Sequence, residues 1–217
     1  MTQIIKRKPI HNPYKIVKMF EEEVADYTGA PYAISVDSCT SALFLCCKYL
    51  EVSDVIIPSK TYLSVPQSII NSGGNVVFDP STNDWRGVYQ LKPYPIYDAA
   101  KRFTSGMYIP NTFMCLSFHI KKHLKIGKGG MILTDNYEAA EWFKKVRYEG
   151  RSEINYIDDN INMLGWNMYM TPVEAAQGLM LLQNLPKINE DLPENFKDLT
   201  NNDLFKTIFS SQEQFES

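Results

Sequence analysis

The sequence predicts an α/β fold in which a mostly parallel, mixed sheet is flanked by helices. Short apolar segments of strand length alternate along the chain with longer segments whose apolar residues recur at helical spacing. Gly, Pro, Asn and Asp residues separate these segments and mark the turns. The chain has 217 residues, 44% of them hydrophobic, which is enough to bury a large core. Such alternation favours βαβ units with parallel strands.

The individual elements follow from apolar periodicity and from the residues that end each segment. Strands are predicted over residues 32–36, 55–58, 75–79, 95–98, 114–118 and 130–134. Helices are predicted over residues 14–27, 41–50, 62–71, 137–148 and 173–185. Gly29 ends the first helix, Pro172 suits the first turn of the last helix, and Pro186 ends it.

The domain organisation is predicted to have three parts. An N-terminal helical segment covers residues 1–29, a large domain covers residues 30–186, and a short extension covers residues 187–217. The extension is rich in polar residues, so we expect a short helix near residues 202–209 and a partly mobile terminus. No internal repeat is visible.

Composition limits the kinds of partner. A formal net charge of −3 gives no overall attraction to nucleic acid or to an anionic membrane, so small-molecule partners are expected. Residues 1–13 contain no apolar run of signal-peptide length and no later stretch reaches the length of a membrane span, so we expect a cytoplasmic protein. Its four cysteines form no CxxC pair, which predicts reduced, mostly buried thiols and no metal site.

Hydroxyl residues begin the second predicted helix, in the run Ser38-Cys39-Thr40-Ser41. The free N–H groups of a helix start and the helix dipole together favour a bound phosphate. The alternative is that Ser38 or Thr40 only caps the helix. This motif alone does not decide between the two interpretations.

Two further side chains lie at or just past the C-terminal ends of predicted strands, which is where ligands of open α/β sheets bind. Tyr62 lies just past strand 55–58 and is placed to stack on a flat ring, or else to pack as an ordinary aromatic residue. Asp98 ends strand 95–98, where a carboxylate can keep a pyridinium nitrogen protonated. Its alternative role is to cap the following turn.

A basic run between residues 117 and 130 follows another strand. It contains Lys121, Lys122, Lys125 and Lys128, interleaved with apolar residues that must partly face inward. A buried lysine is costly unless it has a purpose, and forming a Schiff base is such a purpose. We also consider that the other three lysines keep Lys122 neutral and attract a diphosphate. The alternative is an ordinary solvated surface.

Taken in order, these motifs resemble those of the DegT/DnrJ/EryC1/StrS sugar aminotransferases, a branch of the fold-type I pyridoxal-phosphate enzymes. The matching segments are SCTSAL, PSKTY, YDAAK, SFHIKK with GKGG, LGWNMYM and VEAAQG, and the resemblance spans about residues 20–185. The chain departs from the family pattern at four positions: Cys39 replaces a glycine, Lys101 a glutamine, Lys128 a glutamate and Tyr169 an arginine. It is also shorter than the family, with a compressed stretch over residues 78–97 and no long C-terminal domain after Pro186.

The resemblance implies that the cofactor is pyridoxal 5'-phosphate and that Lys122, three residues after His119, forms the Schiff base with it. It implies that Asp98 pairs with the ring nitrogen and that Tyr62 stacks on the ring. The remaining residues it places around the cofactor are Ser38, Cys39, Thr40, Lys101 and Ser117. In family dimers the asparagine that matches Asn167 reaches the phosphate of the neighbouring subunit, so a homodimer is implied.

The activity implied by the resemblance is transfer of an amino group from an amino-acid donor, glutamate, to a keto group of a nucleotide-linked sugar. One alternative is a shortened relative that binds the cofactor but is catalytically silent or dependent on a partner. Another is a phosphate- or nucleotide-binding module that uses only the helix start at Ser38. A third, the sugar 3-dehydratase variant of the family, needs a histidine where this chain has Lys122.

Overall fold

The computed structural model describes residues 12, 14–193 and 195–205. The strands in this part of the chain are β1 (Tyr32–Val36), β2 (Asp54–Ile57), β3 (Asn75–Phe78), β4 (Tyr89–Leu91), β5 (Ile96–Asp98), β6 (Phe113–Ser117) and β7 (Gly130–Thr134). The α-helices are α1 (Lys15–Thr28), α2 (Cys39–Tyr49), α3 (Ser64–Ser72), α4 (Tyr137–Val146) and α5 (Pro172–Leu182).

A five-stranded sheet with the order β1-β7-β6-β5-β4 forms the centre of the molecule. Strands β2 and β3 form a separate parallel pair. The two sheets are linked because Ile56 in β2 and Lys92, just after β4, exchange two backbone hydrogen bonds of 2.8 and 3.0 Å. The strands therefore present one nearly continuous layer to the helices.

Helices cover both faces of this layer. One hydrophobic core lies between the strands and helices α2, α3 and α4, and it contains Leu43, Ile69 and Phe143. A second core lies on the opposite face, beneath α1 and α5, and contains Phe20 and Ala175. Since neighbouring strand residues point to opposite faces, an uninterrupted apolar strand serves both cores. The predicted α/β fold, with a mixed sheet flanked by helices, is confirmed.

The balance of strand directions differs from the expectation of a mostly parallel sheet. The pairs β2–β3 and β5–β6 are parallel, whereas β1–β7, β4–β5 and β6–β7 are antiparallel. Parallel neighbours need a crossover of a dozen or more residues. Residues 92–95 are too few for a crossover, so β5 can only return antiparallel to β4.

The predicted strands and helices are all present, with boundaries that differ by up to three residues. Strand β4 was not predicted, because it has only three residues and lies in the compressed stretch. Of the helix expected near residues 202–209, a single helical turn at 203–205 is described. Residues 206–217, with the predicted mobile terminus, lie outside the described residues, as do residues 1–11 of the N-terminal segment.

The cysteines match the expectation of free thiols. Cys46, Cys47 and Cys115 are buried and Cys39 is half-buried, all without a disulfide. In the described part of the chain, none of the helices combines the length and the apolar character that crossing a membrane requires.

Candidate active site

A cavity of about 600 Å³ lies where β5 and β6 end, beside the N-terminus of α2. Its volume is within the usual range of ligand sites, about 300–1,000 Å³. Its lining includes all but one of the site residues that the sequence predicts, namely Ser38, Cys39, Thr40, Tyr62, Asp98, Lys101, Ser117 and Lys122. The exception is Asn167. Residues spread over 85 positions of sequence therefore meet at one edge of the sheet.

The start of α2 supplies hydrogen-bond donors to this cavity. Ser38 caps the helix by accepting a 3.1 Å hydrogen bond from the Ser41 N–H. The N–H groups of Cys39 and Thr40 precede the first intrahelical bond, from Ala42 N–H to the Ser38 carbonyl (3.0 Å), and so have no acceptor within the helix. Together with the helix dipole they favour a bound anion. Ser38 thus caps the helix and also lines the cavity.

Two glycines allow β7 to start directly against α2. A Cβ atom on Gly130 would lie 2.4 Å from the Ser38 carbonyl carbon and 2.6 Å from the Cys39 nitrogen, which no side chain tolerates. Gly129 has a φ of 136°, a conformation that residues with a side chain rarely adopt. Gly129 and Gly130 of the GKGG segment therefore permit the close approach that forms this end of the cavity.

The Asp98 carboxylate lies at the inner end of the cavity and is only 6% exposed. Its Oδ1 accepts a 2.9 Å hydrogen bond from the Ala100 N–H, and its Oδ2 accepts a 3.0 Å bond from the Tyr89 hydroxyl. Burial raises the pKa of Asp98, whereas these hydrogen bonds and the charges of Lys122 and Lys101 act against that rise. Asp98 therefore caps the turn after β5 and also presents a carboxylate to the cavity.

Three lysines of the basic run surround the same space. Lys122 is half-buried, and its backbone N–H closes a turn on the His119 carbonyl at 2.8 Å. Lys121 and Lys128 also line the cavity. The Lys128 ammonium lies 3.1 Å from the Asp37 carboxylate, which offsets part of its charge. Lys125 is exposed and is not part of the described lining, so two of the three lysines that the sequence hypothesis groups with Lys122 line the cavity with it.

One wall of the cavity comes from residues 189–193 and 195–199, here called the strap, which the sequence did not predict to take part. Leu192, Asn195 and Phe196 of the strap line the cavity, as does Trp85 from the compressed stretch. Lys101 donates through its ammonium to the Pro193 carbonyl and lies 4.7 Å from the centre of the Phe196 ring. These contacts join residues about 90 positions apart, and no local pattern signals them.

Asn167 lies away from the cavity that holds Lys122. Its side-chain amide donates a 2.8 Å hydrogen bond to Glu149, and its backbone pairs with Tyr148. Tyr169, which stands where the family has an arginine, packs its ring edge-on against Tyr148 with ring centres 5.0 Å apart. Asn167 is therefore not among the described residues that line this cavity.

Comparison with known families decides the identity of the chain. The profile of the DegT/DnrJ/EryC1/StrS aminotransferase family matches residues 1–109 and 109–207. The chain belongs to this family. The family predicted from the motifs is thereby confirmed, and membership agrees with the predicted enzyme class and cofactor.

Curated relatives of this family member include a protein named for polysaccharide biosynthesis and a named transaminase. The spore coat polysaccharide biosynthesis protein SpsC of Bacillus subtilis is 27% identical over 222 residues, covering 78% of this chain and 57% of its own. A UDP-4-amino-4,6-dideoxy-N-acetyl-beta-L-altrosamine transaminase of Campylobacter jejuni is 25% identical and is matched over 89% of this chain and 64% of its own. The chain thus spans about three-fifths of these relatives.

Solved structures share the fold of this family member. AtS13 from Actinomadura melliaura superposes with a TM-score of 0.68 at 20% identity, covering 78% of this chain and 60% of its own. Helicobacter pylori PseC, an aminotransferase involved in the biosynthesis of pseudoaminic acid, gives a TM-score of 0.63 at 18% identity, covering 81% and 63%.

The donor set of the cavity fits pyridoxal phosphate. The α2 N-terminus and Ser117 suit a phosphate. The buried Asp98 suits a protonated ring nitrogen, the Lys122 amine suits an aldehyde, and Tyr62 offers an aromatic face. Each part of the cofactor therefore has a chemically matched group in one cavity.

Proposed function

We propose that this chain binds pyridoxal phosphate through Lys122 and transfers an amino group from glutamate to the keto group of a nucleotide-linked sugar. The observation that carries the proposal is that Lys122, Asp98 and the N-terminus of α2 line one cavity. The relatives' names support the substrate class, since they include UDP-, GDP- and dTDP-linked sugars. Because three different nucleotides occur among them, the proposal specifies the linkage to a nucleotide and not the base.

The residues of the chain divide the work between binding and proton transfer. The bound cofactor supplies an electron sink for the carbon that carries the amino group. The negative charge of Asp98 keeps the ring nitrogen protonated, while the first amides of α2 and the Ser117 hydroxyl hold the phosphate. Once the amino donor has displaced it from the cofactor, the Lys122 amine would accept the proton from the donor's α-carbon and deliver it to the cofactor carbon that Lys122 had held, which is general acid–base catalysis worth about 10²–10⁴-fold.

A homodimer is part of the proposal. Asn167 belongs to a family motif, yet it lies away from the cavity of its own chain and bonds to Glu149. This placement supports a role for Asn167 across a subunit interface, on the phosphate bound by the partner.

The test is a nitrogen-transfer assay. The protein is loaded with pyridoxal phosphate and mixed with ¹⁵N-glutamate, and 2-oxoglutarate is measured before and after addition of 4-keto sugars linked to UDP, GDP or dTDP. The proposal predicts one equivalent of 2-oxoglutarate with glutamate alone and ¹⁵N in the sugar after addition. Lys121→Ala is the matched control for Lys122→Ala, since both residues line the cavity and only Lys122 is assigned the chemistry.

A second candidate is a protein that binds the cofactor without turnover. It is favoured by Lys101, which the resemblance places beside the cofactor but which here bonds to Pro193 of the strap. In that case the protein takes up the cofactor and releases no keto acid from glutamate or from any other amino-acid donor. A module that binds only phosphate would instead develop no visible absorbance with pyridoxal phosphate.

A further inference from the structure

Tyr89 and Asp98 face each other across the antiparallel pair β4–β5. Directly opposite side chains on one face of such a pair lie close enough to interact. Here the Tyr89 hydroxyl donates a 3.0 Å hydrogen bond to Asp98 Oδ2. Tyr89 is 7% exposed and is not among the residues that line the cavity, so it contacts Asp98 from the protein interior and not from the cavity.

A third residue fixes the direction of this hydrogen bond. The Thr61 hydroxyl, 2% exposed, forms a short hydrogen bond with the Tyr89 oxygen. Since the Tyr89 proton is donated to the carboxylate, the Thr61 hydroxyl must be the donor to Tyr89. The three residues therefore form a buried chain of hydrogen bonds that points from Thr61 to Asp98. The Trp85 ring packs on Tyr89, with centres 4.6 Å apart, and holds the tyrosine in place.

We propose that Tyr89 is a positioning residue for the reaction, because it holds the Asp98 carboxylate ionised and oriented towards the cofactor's ring nitrogen. This inference rests on the proposed function. Tyr89 acts only through Asp98, and it comes from β4, the strand formed by the compressed stretch.

Burial favours the neutral form of Asp98, and the groups around it offset that effect. Within residues 14–193 and 195–205, the ionisable side chains that interact with Asp98 are Cys39, Tyr89, Lys101, Cys115 and Lys122. Burial raises the pKa of the Cys39 and Cys115 thiols, so they stay neutral. Burial likewise raises the pKa of Tyr89, which keeps its proton available for donation. The Ala100 donor is a backbone amide and cannot be removed by substitution. Tyr89 is a neutral side chain, so replacing it tests whether a hydrogen bond keeps the Asp98 carboxylate ionised.

The first experiment follows the Asp98 carboxyl directly in protein without cofactor. Protein labelled with ¹³C at the aspartate carboxyl is titrated by NMR, and Asp98→Asn identifies the signal. Tyr89→Phe removes one hydrogen bond and should raise the titration midpoint by about one pH unit, a tenfold change in proton affinity. Thr61→Val should shift it the same way by less. Tyr94→Phe, a tyrosine of the same hairpin that bonds to Ser53, should leave it unchanged.

The second experiment adds pyridoxal phosphate and records the pH dependence of its absorbance. Tyr89→Phe should change the absorbance titration and lower the rate of the glutamate half-reaction, with the KM for glutamate little altered. Unchanged Asp98 and absorbance titrations in folded Tyr89→Phe protein would overturn the positioning role. If neither the wild type nor any variant binds the cofactor, the proposed function is wrong. The proposed role of Tyr89 in orienting Asp98 towards the cofactor is then wrong as well. A shifted Asp98 titration would still confirm the hydrogen bond itself, so the two failures are distinguishable.

Discussion

Arg102 and Asp191 form an ion pair with two hydrogen bonds, from Nε to Oδ1 at 2.8 Å and from Nη2 to Oδ2 at 2.6 Å. Arg102 follows the turn after β5, whereas Asp191 belongs to the strap, so the pair fastens the strap beside the cavity. Gly87 makes room for it, because a Cβ atom there would lie 2.2 Å from the Asp191 carboxylate. Geometry of this two-bond kind is the strong form of a charge-assisted contact.

Releasing the strap should weaken cofactor binding. Arg102→Gln removes the charge and the paired geometry, and the strap supplies one wall of the cavity through Leu192 and Phe196. We expect the dissociation constant for pyridoxal phosphate, measured by absorbance titration, to rise roughly tenfold. Lys144→Gln on α4, whose ammonium pairs with Glu141, is the control and should leave it unchanged. Equal affinity of Arg102→Gln and wild type would show that the strap is not needed for binding.

The same pair sets a dependence of stability on pH. The hydrogen bonds from Arg102 are the main reason that the pKa of Asp191 lies below its ordinary value of 3.8. A depressed folded-state pKa contributes stability that is fully present above the unfolded value and is lost as the pH falls through the folded value. The stability difference between wild type and Arg102→Gln, from urea unfolding, should therefore be constant near neutrality and shrink below about pH 4. A difference that grows on acidification would contradict this assignment.

A buried ion pair joins α1 to the end of α4. The Arg147 guanidinium bonds to Glu21, which is 7% exposed, and donates to the Ser35 carbonyl at 2.5 Å and to the Ser35 hydroxyl at 3.0 Å. Arg147→Met leaves the Glu21 charge buried without its partner and should cost about 3–5 kcal/mol of unfolding free energy.

The control for Arg147 is Lys144→Met. It breaks an exposed pair with Glu141 on the surface of the same helix and should cost less than about 1 kcal/mol. Urea unfolding of both variants gives the comparison. Similar losses of unfolding free energy in the two variants would mean that the buried ion pair stabilises the fold no more than the exposed one.

Much of the fold could be predicted from local patterns. Strands such as β1 and β7 are apolar runs bounded by turn residues, and α5 begins with Pro172 in its first turn, as its sequence indicates. Strand β4 could not be predicted, because its three residues have no pattern of their own and are held by pairing with β5. The antiparallel direction of β7 beside β1 and β6 could not be predicted either, because pairing within the sheet decides it and not local sequence.

The site residues likewise divide into those that local sequence predicts and those that only the fold brings together. Asp98, Lys122 and the start of α2 lie in short motifs that carry their chemistry within a few residues of sequence. Tyr89 and the strap residue Phe196 depend on contacts formed only after folding, with Asp98 and Lys101 respectively. Their side chains are ordinary core or surface types, so no spacing distinguishes them from packing residues.

Gly130 should be intolerant of any side chain. A Cβ atom there would lie within 2.6 Å of three backbone atoms at the start of α2, so Gly130→Ala must displace the proposed phosphate site. We expect at least a tenfold loss of affinity for pyridoxal phosphate, and a loss of stability of roughly 1–3 kcal/mol from overpacking. Gly73→Ala is the control, since nothing lies within 4 Å of the added atom and its φ of 99° makes it a test of backbone strain without a clash. Cofactor affinity retained in Gly130→Ala would disprove the role of this close approach.

The proposed dimer can be tested by complementation between two inactive variants. Lys122→Ala lacks the amine, and Asn167→Ala lacks the group proposed to reach the partner's phosphate. If each site takes Asn167 from the other subunit, mixed dimers contain one site with both residues intact. Co-expressed, differently tagged chains should then recover up to half of the wild-type 2-oxoglutarate release per dimer. No recovery in isolated mixed dimers, or a monomer by light scattering, would contradict the shared site.

The most direct test of the account is the visible absorbance of the protein with pyridoxal phosphate, followed by borohydride reduction and mass spectrometry of the peptides. Lys121 and Lys122 are neighbours that line the same cavity, so they form a matched pair. Wild type and Lys121→Ala should develop the Schiff-base absorbance and carry the reduced cofactor on Lys122, whereas Lys122→Ala should do neither. A Lys122→Ala protein that keeps the absorbance, or a label found on another lysine, would contradict the central claim.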